Sequence, residues 1–425
     1  MKYPYYLICA WNVFLEDYSE SDDVMEELLD DVKEAGFNTI GIRWTNNTAA
    51  MLGILKKLES RDLRLIIKKV PDIEETEGPG FDHFFDSLEK SKVFTGFMLR
   101  DEPSAMEFAE LAELKLRYNE KIEDNRNAFT ICNLYPNYAS NEQLGVISQD
   151  PRNSDTDTLQ QIASIDIKSY NRYLDEYISV FKPEILCYDH YPITYHVRND
   201  IPESEAFIYR YFSNLCETYI KSSSAGIPLF SFIQAWTFTD LFVCPNYNEY
   251  IWMMNTCYAL GVEGILCFTY RNFYPEKGGP EAWKDCPITL DRTRTPTYET
   301  VSQCNRDFMN TISKYIDYEY EGVYAYNCPA HINKALRNTI DIGEIDFVSG
   351  LRGSGEALIS LFSKDNDKGL FIVNTRIHES SCIEITFDHK TDYTVQYKDD
   401  SVTHKSSDGL SLKLDGGEAV FVCIK

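Results

Sequence analysis

Apolar positions along this chain fall into two kinds of segment that alternate. Short, nearly continuous apolar runs occur at residues 5–12, 38–44, 63–70, 94–100, 128–134, 185–189, 229–236 and 264–270. Runs of this length with little polar alternation predict strands buried on both faces. Between and after them, apolar residues recur at helical spacing over 21–35, 49–60, 81–92, 105–121, 157–181, 203–222, 247–260 and 297–315. The first of these carries Asp22 and Asp23 in its opening turn and Gly36 just past its end, the usual polarity of helix termini. Eight strand–helix repeats predict an α/β fold, a (β/α)8 TIM barrel. A doubly wound open sheet would show a glycine-rich turn after one of its strands, and none of these runs is followed by one.

Beyond residue 318 the period changes to two, at 357–362, 369–374, 382–387, 393–397 and 419–424, with Asp, Gly, Ser and Lys between the segments. The chain therefore divides into a barrel over 1–318 and a small antiparallel, β-sandwich-like domain over 319–425. The glycine-rich segment 349–355 lies in that second part with no helix behind it to cradle a phosphate, and is read as a turn.

Composition narrows the function. With 44% hydrophobic and 25% charged residues the chain can bury a large core. Its net charge of -26 opposes binding to nucleic acid or to an anionic membrane surface, so neither is expected as a partner. No apolar run reaches the length of a membrane span, which predicts a soluble protein. The first residues show no export signal, so the cytoplasm is the expected compartment as the sequence stands, or the periplasm or exterior if a signal peptide has been removed. Several of the twelve cysteines sit in strand runs and read as small hydrophobes rather than as a disulfide framework. Seven histidines, with no His-x-His and no His-Glu-x-x-His, make a metal site unexpected, and no cofactor motif is present. No Gly-x-Ser-x-Gly elbow marks a serine nucleophile.

Active sites of such barrels lie at the C-terminal ends of the strands. Reading off those ends gives Trp11, Arg43, Trp44, Lys68, Asp101, Glu102, Asn133, Tyr135, Asp189, His190, Tyr191, Gln234, Trp236, Tyr270 and Arg271, a rim rich in aromatic and hydrogen-bonding groups. Aromatic faces suit the C–H faces of sugars, and a pair of carboxyl groups suits cleavage of a glycosidic bond. Glu102 is the best general acid, placed between a strand run and Pro103, which fits the first turn of the next helix. Asp189 is the leading second carboxylate, and equally serves as a ligand for sugar hydroxyls or a partner of His190. Asp101 fits a buried ion pair with Arg43 or Arg100. Arg43, Lys68 and Arg271 either hold carboxylates ionised, bind an anionic substituent such as a uronate, or form salt bridges within the barrel. Asn133 and Gln234 are expected to bind sugar hydroxyls, and Trp11, Trp44, Trp236, Tyr191 and Tyr270 to form a sugar platform.

The run from Gly96 to Pro103, Gly-Phe-Met-Leu-Arg-Asp-Glu-Pro, resembles the fourth-strand site of clan-A glycoside hydrolases, and the segment from Pro287 to Val301 is similar to the end of many glycosidase barrels that carry an added β domain. The resemblance covers residues 1 to 316 in architecture. It implies a glycosidase acting on an oligosaccharide or polysaccharide with Glu102 as acid/base, and a β domain that packs on the barrel or supports homo-oligomer formation. The chain departs from the pattern where clan-A retaining enzymes place a nucleophilic glutamate, because its seventh strand offers Gln234. That departure motivates an alternative, a carbohydrate-binding pseudoenzyme.

Overall fold

The computed structural model describes residues 5–424 apart from 15–17, 19, 124, 126–127, 147–166, 274–282 and 338. Strands β1 (Leu7–Trp11), β2 (Thr39–Arg43), β3 (Arg64–Lys68), β4 (Phe94–Asp101), β5 (Phe129–Leu134), β6 (Leu186–Asp189), β7 (Leu229–Gln234) and β8 (Gly264–Phe268) pair in sequence order. All pairs are parallel, and β8 closes on β1. The fold is a (β/α)8 barrel. Its helices follow the expected segments to within a few residues, including Asp22–Glu34, Ser204–Ala225, Tyr247–Ala259 and Pro296–Ile312. The helix before β6 runs Ile167–Phe181, and the first ten positions of the segment predicted there fall outside the described residues.

Strand alternation divides the apolar side chains between two cores. Leu7, Cys9, Trp11, Ile66, Met98, Phe129, Ile131, Cys187, Phe230, Phe232 and Leu266 fill the barrel interior. Their neighbours in sequence, such as Ile8, Ile40, Ile42, Tyr188 and Ile233, face the surrounding helices. Because every strand is covered on both faces, its sequence reads as a continuous apolar run. The indole of Trp11 lies over Gly41, where any Cβ would fall 1.9 Å from the ring, so glycine is required there.

The C-terminal part is one seven-stranded antiparallel sheet. It contains β9 (Glu319–Tyr326), β10 (Val348–Arg352), β11 (Ala357–Lys364), β12 (Asp367–Asn374), β13 (Ser381–Gln396), β14 (Ser401–Leu414) and β15 (Ala419–Ile424). Their order is β10-β13-β15-β12-β11-β9, with β14 paired to β13. One face of β11, β12 and β15 packs on the barrel helices through Phe362, Phe371 and Phe421, and the Tyr315 and Phe421 rings stack at 3.9 Å. The opposite face joins Ile383, Ile385, Leu410 and Leu412 of the long β13–β14 hairpin in a second core, giving the sandwich-like layering. Two expectations change here. Residues 349–352 of the glycine-rich segment belong to an edge strand rather than a turn, and 382–387 with 393–396 belong to one strand.

Candidate active site

The strand ends open onto a cavity of about 740 Å3. Eight of the residues expected at the rim line it: Trp11, Lys68, Asp101, Glu102, Asn133, Asp189, Tyr191 and Trp236. The backbone leaves three of these strands in the same unusual way. Asn12, Lys69 and Glu102, each immediately after a strand, have φ of 62°, 54° and 48°. Their N–H groups still reach the adjacent strand, Asn12 to the Gly41 carbonyl at 3.2 Å, Lys69 to that of Met98 at 3.1 Å and Glu102 to that of Asn133 at 2.8 Å. Left-handed geometry at a non-glycine residue costs about 1–3 kcal/mol and concentrates at functional sites. Pro103 precedes the following helical segment rather than opening it, since Ser104 is the cap residue.

Glu102 is half-buried, and burial followed by the neighbouring Asp101 charge raises its pKa to about 7. Asp189 is 7% exposed. Burial, then the charges of Glu102 and Asp101, push its carboxyl well above the usual range, opposed by a hydrogen bond with the Tyr191 hydroxyl. Its Oδ1 has no hydrogen-bond partner among the described residues. Carboxyl groups within reach of one another's charge do not readily ionise together, so the cluster holds a proton to a higher pH than an isolated carboxyl would. Asp101 is exposed and accepts from Asn133 Nδ2 at 2.9 Å. The buried ion pair expected of it is not formed with Arg100, which lies 3.8 Å from Glu107 instead. Lys68 is buried, donates to Asn12 Oδ1 and places its Nζ 5.4 Å from the Trp11 ring centre.

The remaining candidates lie elsewhere. Gln234 is fully buried and spends its amide on backbone: Oε1 accepts from Ile193 N at 3.2 Å, while Nε2 donates to the carbonyls of Ile193 at 3.0 Å and Val243 at 2.9 Å. It ties two rim loops together and presents nothing to the cavity. His190 follows Asp189 and so turns outward, where Nδ1 meets Asn214 Oδ1 at 3.0 Å. Burial there lowers its pKa to about 3, so the ring is neutral. Trp44 also faces outward, stacked on Phe81 at 6.1 Å with Nε1 bonded to Asn46. Because β8 ends at Phe268, Tyr270 and Arg271 lie past the rim. Tyr270 packs edge-on against Phe37 in the core. Arg271 pairs with Glu20 and donates to the Leu290 carbonyl at 2.6 Å, the salt-bridging use. Arg43 borders a small side cavity with Asn12, Phe14 and Tyr18. Tyr135 stands near enough to Glu102 for that charge to add to burial in raising its phenol pKa.

The sequence reading missed much of the opposite wall. Phe232, Phe238, Phe242, Phe268, Phe273 and Trp283 line the cavity beside Trp236. The run Trp-Thr-Phe-Thr-Asp-Leu-Phe from Trp236 to Phe242 is the signal that would have found two of them. Among the described residues no group of three or more His, Cys, Asp or Glu side chains is placed to hold a metal ion. No described helix is long and apolar enough to cross a membrane.

No family model matches the chain, and no curated protein matches it in sequence. Solved structures do match. Gas2p of Saccharomyces cerevisiae, in complex with laminaritetraose and laminaripentaose, aligns at 11% identity and a TM-score of 0.43, over 68% of this chain and 61% of its own. The chain thus spans about three fifths of that protein's length. The endo-1,4-beta-D-mannanase of Thermotoga petrophila aligns at 10% identity and a TM-score of 0.42, over 71% of this chain and 99% of its own. An Anoxybacillus alpha-amylase aligns at 10% identity and a TM-score of 0.42, over 99% of this chain and 97% of its own.

Proposed function

We propose that this protein is a glycoside hydrolase in which Glu102 is the general acid and Asp189 the second carboxylate. The observation that carries the reading is Glu102 itself: a carboxyl at the end of β4 with a left-handed backbone and a pKa raised to about 7. A carboxylic acid that keeps its proton near neutral pH can deliver it to a leaving oxygen, which an ordinary glutamate cannot. Asp189 shares the cavity, and the Glu102 charge adds to burial in raising its carboxyl, so the two groups act on one another across the site. Once it has given up its proton, Asp189 stabilises positive charge on the sugar, attacks the anomeric carbon or activates a water. Asn133, Tyr191 and Lys68 supply hydrogen bonds to substrate hydroxyls, and Trp11 and Trp236 supply aromatic faces.

Turnover of a panel of aryl glycosides and natural oligosaccharides by the wild type and by Glu102→Gln tests this, with the first-formed anomer followed by NMR. Loss of about 10²–10⁴-fold in Glu102→Gln is expected. The retained or inverted anomer then reports whether Asp189 acts as nucleophile or as base. A wild type that binds sugars and cleaves none would leave the carbohydrate-binding alternative in its place.

A further inference from the structure

The cavity has two chemically different halves. Toward β3–β6 it presents Lys68, Asp101, Glu102, Asn133 and Asp189. Toward β7 and β8 its described side chains are aromatic, five phenylalanines with Trp236 and Trp283. In that half Trp283 is sandwiched, with Phe238 stacked on it at 4.5 Å and 11° and Phe273 at 4.6 Å and 3°. Its two faces are therefore covered by other rings and are closed to a sugar. Trp236 packs edge-on against Tyr191 at 5.2 Å and lies 5.4 Å from Phe242. The side-chain polar atoms this group of rings carries are the two indole nitrogens, and that of Trp236 is buried and without a partner among the described residues.

A second sugar bound there would bury several hydroxyls against rings that offer only the two indole N–H donors and no acceptor, and a buried hydroxyl without a partner opposes binding strongly. An aryl or alkyl group meets no such penalty and gains by leaving water. Resting on the glycosidase reading, we infer that the β7–β8 half is an aglycone subsite for apolar groups. The substrates are then glycosides of aromatic or aliphatic alcohols rather than internal bonds of a polysaccharide, with the glycosyl unit held on the carboxylate side.

Two measurements on the full-length protein separate this inference from the reading beneath it. In the first, 2-naphthol is titrated against intrinsic tryptophan fluorescence. Saturable one-to-one binding is expected, weakened about tenfold or more in Phe242→Asn and kept within about threefold in Phe242→Leu, which guards against misfolding of the polar variant. Absence of saturable binding, or equal affinity in all three proteins, would overturn the inference. In the second, kcat/KM is compared for benzyl and methyl glycosides of the same sugar, whose leaving alcohols have nearly equal acidity. A preference of about tenfold or more for benzyl supports the subsite, and equal values overturn it. Naphthol binding without cleavage of any glycoside would uphold the apolar subsite and sink the hydrolase assignment alone.

Discussion

Asp189 at the end of β6 and Trp252 on the helix Tyr247–Ala259 are both buried, 7% and 0% exposed, and both carry a polar group away from water. Trp252 donates Nε1 to the Thr375 carbonyl at 3.0 Å, part of a seam in which Asn255 Nδ2 also reaches the Gly417 carbonyl at 2.9 Å and Ser360 Oγ that of Ala259 at 2.6 Å. Asp189 Oδ1 finds no such partner among the described residues, and ionisation of this carboxyl is opposed by burial and by the charges of Glu102 and Asp101. The seam between barrel and sheet spends its polar groups on stability. At the rim one Asp189 oxygen is left uncompensated among the described residues, and the backbone is left-handed at Asn12, Lys69 and Glu102. A folded chain tolerates that arrangement only because the rest of the barrel over-determines it, and the place where it is tolerated is the place to look for chemistry.

The comparison can be broken most sharply at Asp189. Asp189→Asn is expected to lower kcat by about two to four orders of magnitude while the thermal midpoint holds or rises, because the substitution removes a carboxyl whose ionisation burial and its neighbours oppose. A loss of stability without a loss of rate would place Asp189 with the structural groups. At the seam the expectation is reversed. Trp252→Ala should cost about 3–5 kcal/mol of unfolding free energy in denaturant titration and leave kcat of the folded fraction unchanged.

A smaller effect sharpens the account of Glu102. Its folded pKa of about 7 lies above the ordinary carboxyl value of 4.5, so folding favours the protonated form. The resulting stability is present below about pH 4.5 and is lost as pH rises towards 7. Glu102→Gln, which cannot ionise, should therefore be more stable than the wild type at pH 8, on the order of 1–3 kcal/mol, and equal to it at pH 4. Equal stability at both pH values would mean that the site does not strain this carboxyl.

The barrel was legible because parallel strands covered on both faces leave unbroken apolar runs, and seven of the eight observed strands lie inside the runs that predict them, while β4 runs one residue past its own. The position of Glu102 and Asp189 on the cavity was legible because both follow directly from where their strand runs end. The errors have two sources. Side-chain alternation sends Trp44 and His190 outward although they adjoin inward-facing residues, and the sequence does not mark the residue at which a strand stops. β7 and β8 both end two residues earlier than their apolar runs, which carries Tyr270 and Arg271 into the core and its salt bridges. Phe238, Phe242, Phe273 and Trp283 come from rim loops, whose paths follow no period that could be read in advance. The hairpin strand β14, with few apolar residues before Leu410, was invisible for the related reason that most of it is exposed.

The most direct test of the central claim is the pH dependence of kcat/KM on a glycoside that the wild type cleaves. With Glu102 as the acid, activity should fall on the alkaline side with an apparent pKa near 7, and Glu102→Asp should displace that limb. A profile flat from pH 6 to 9, or an alkaline limb that stays in place when Glu102 is replaced, would contradict the assignment.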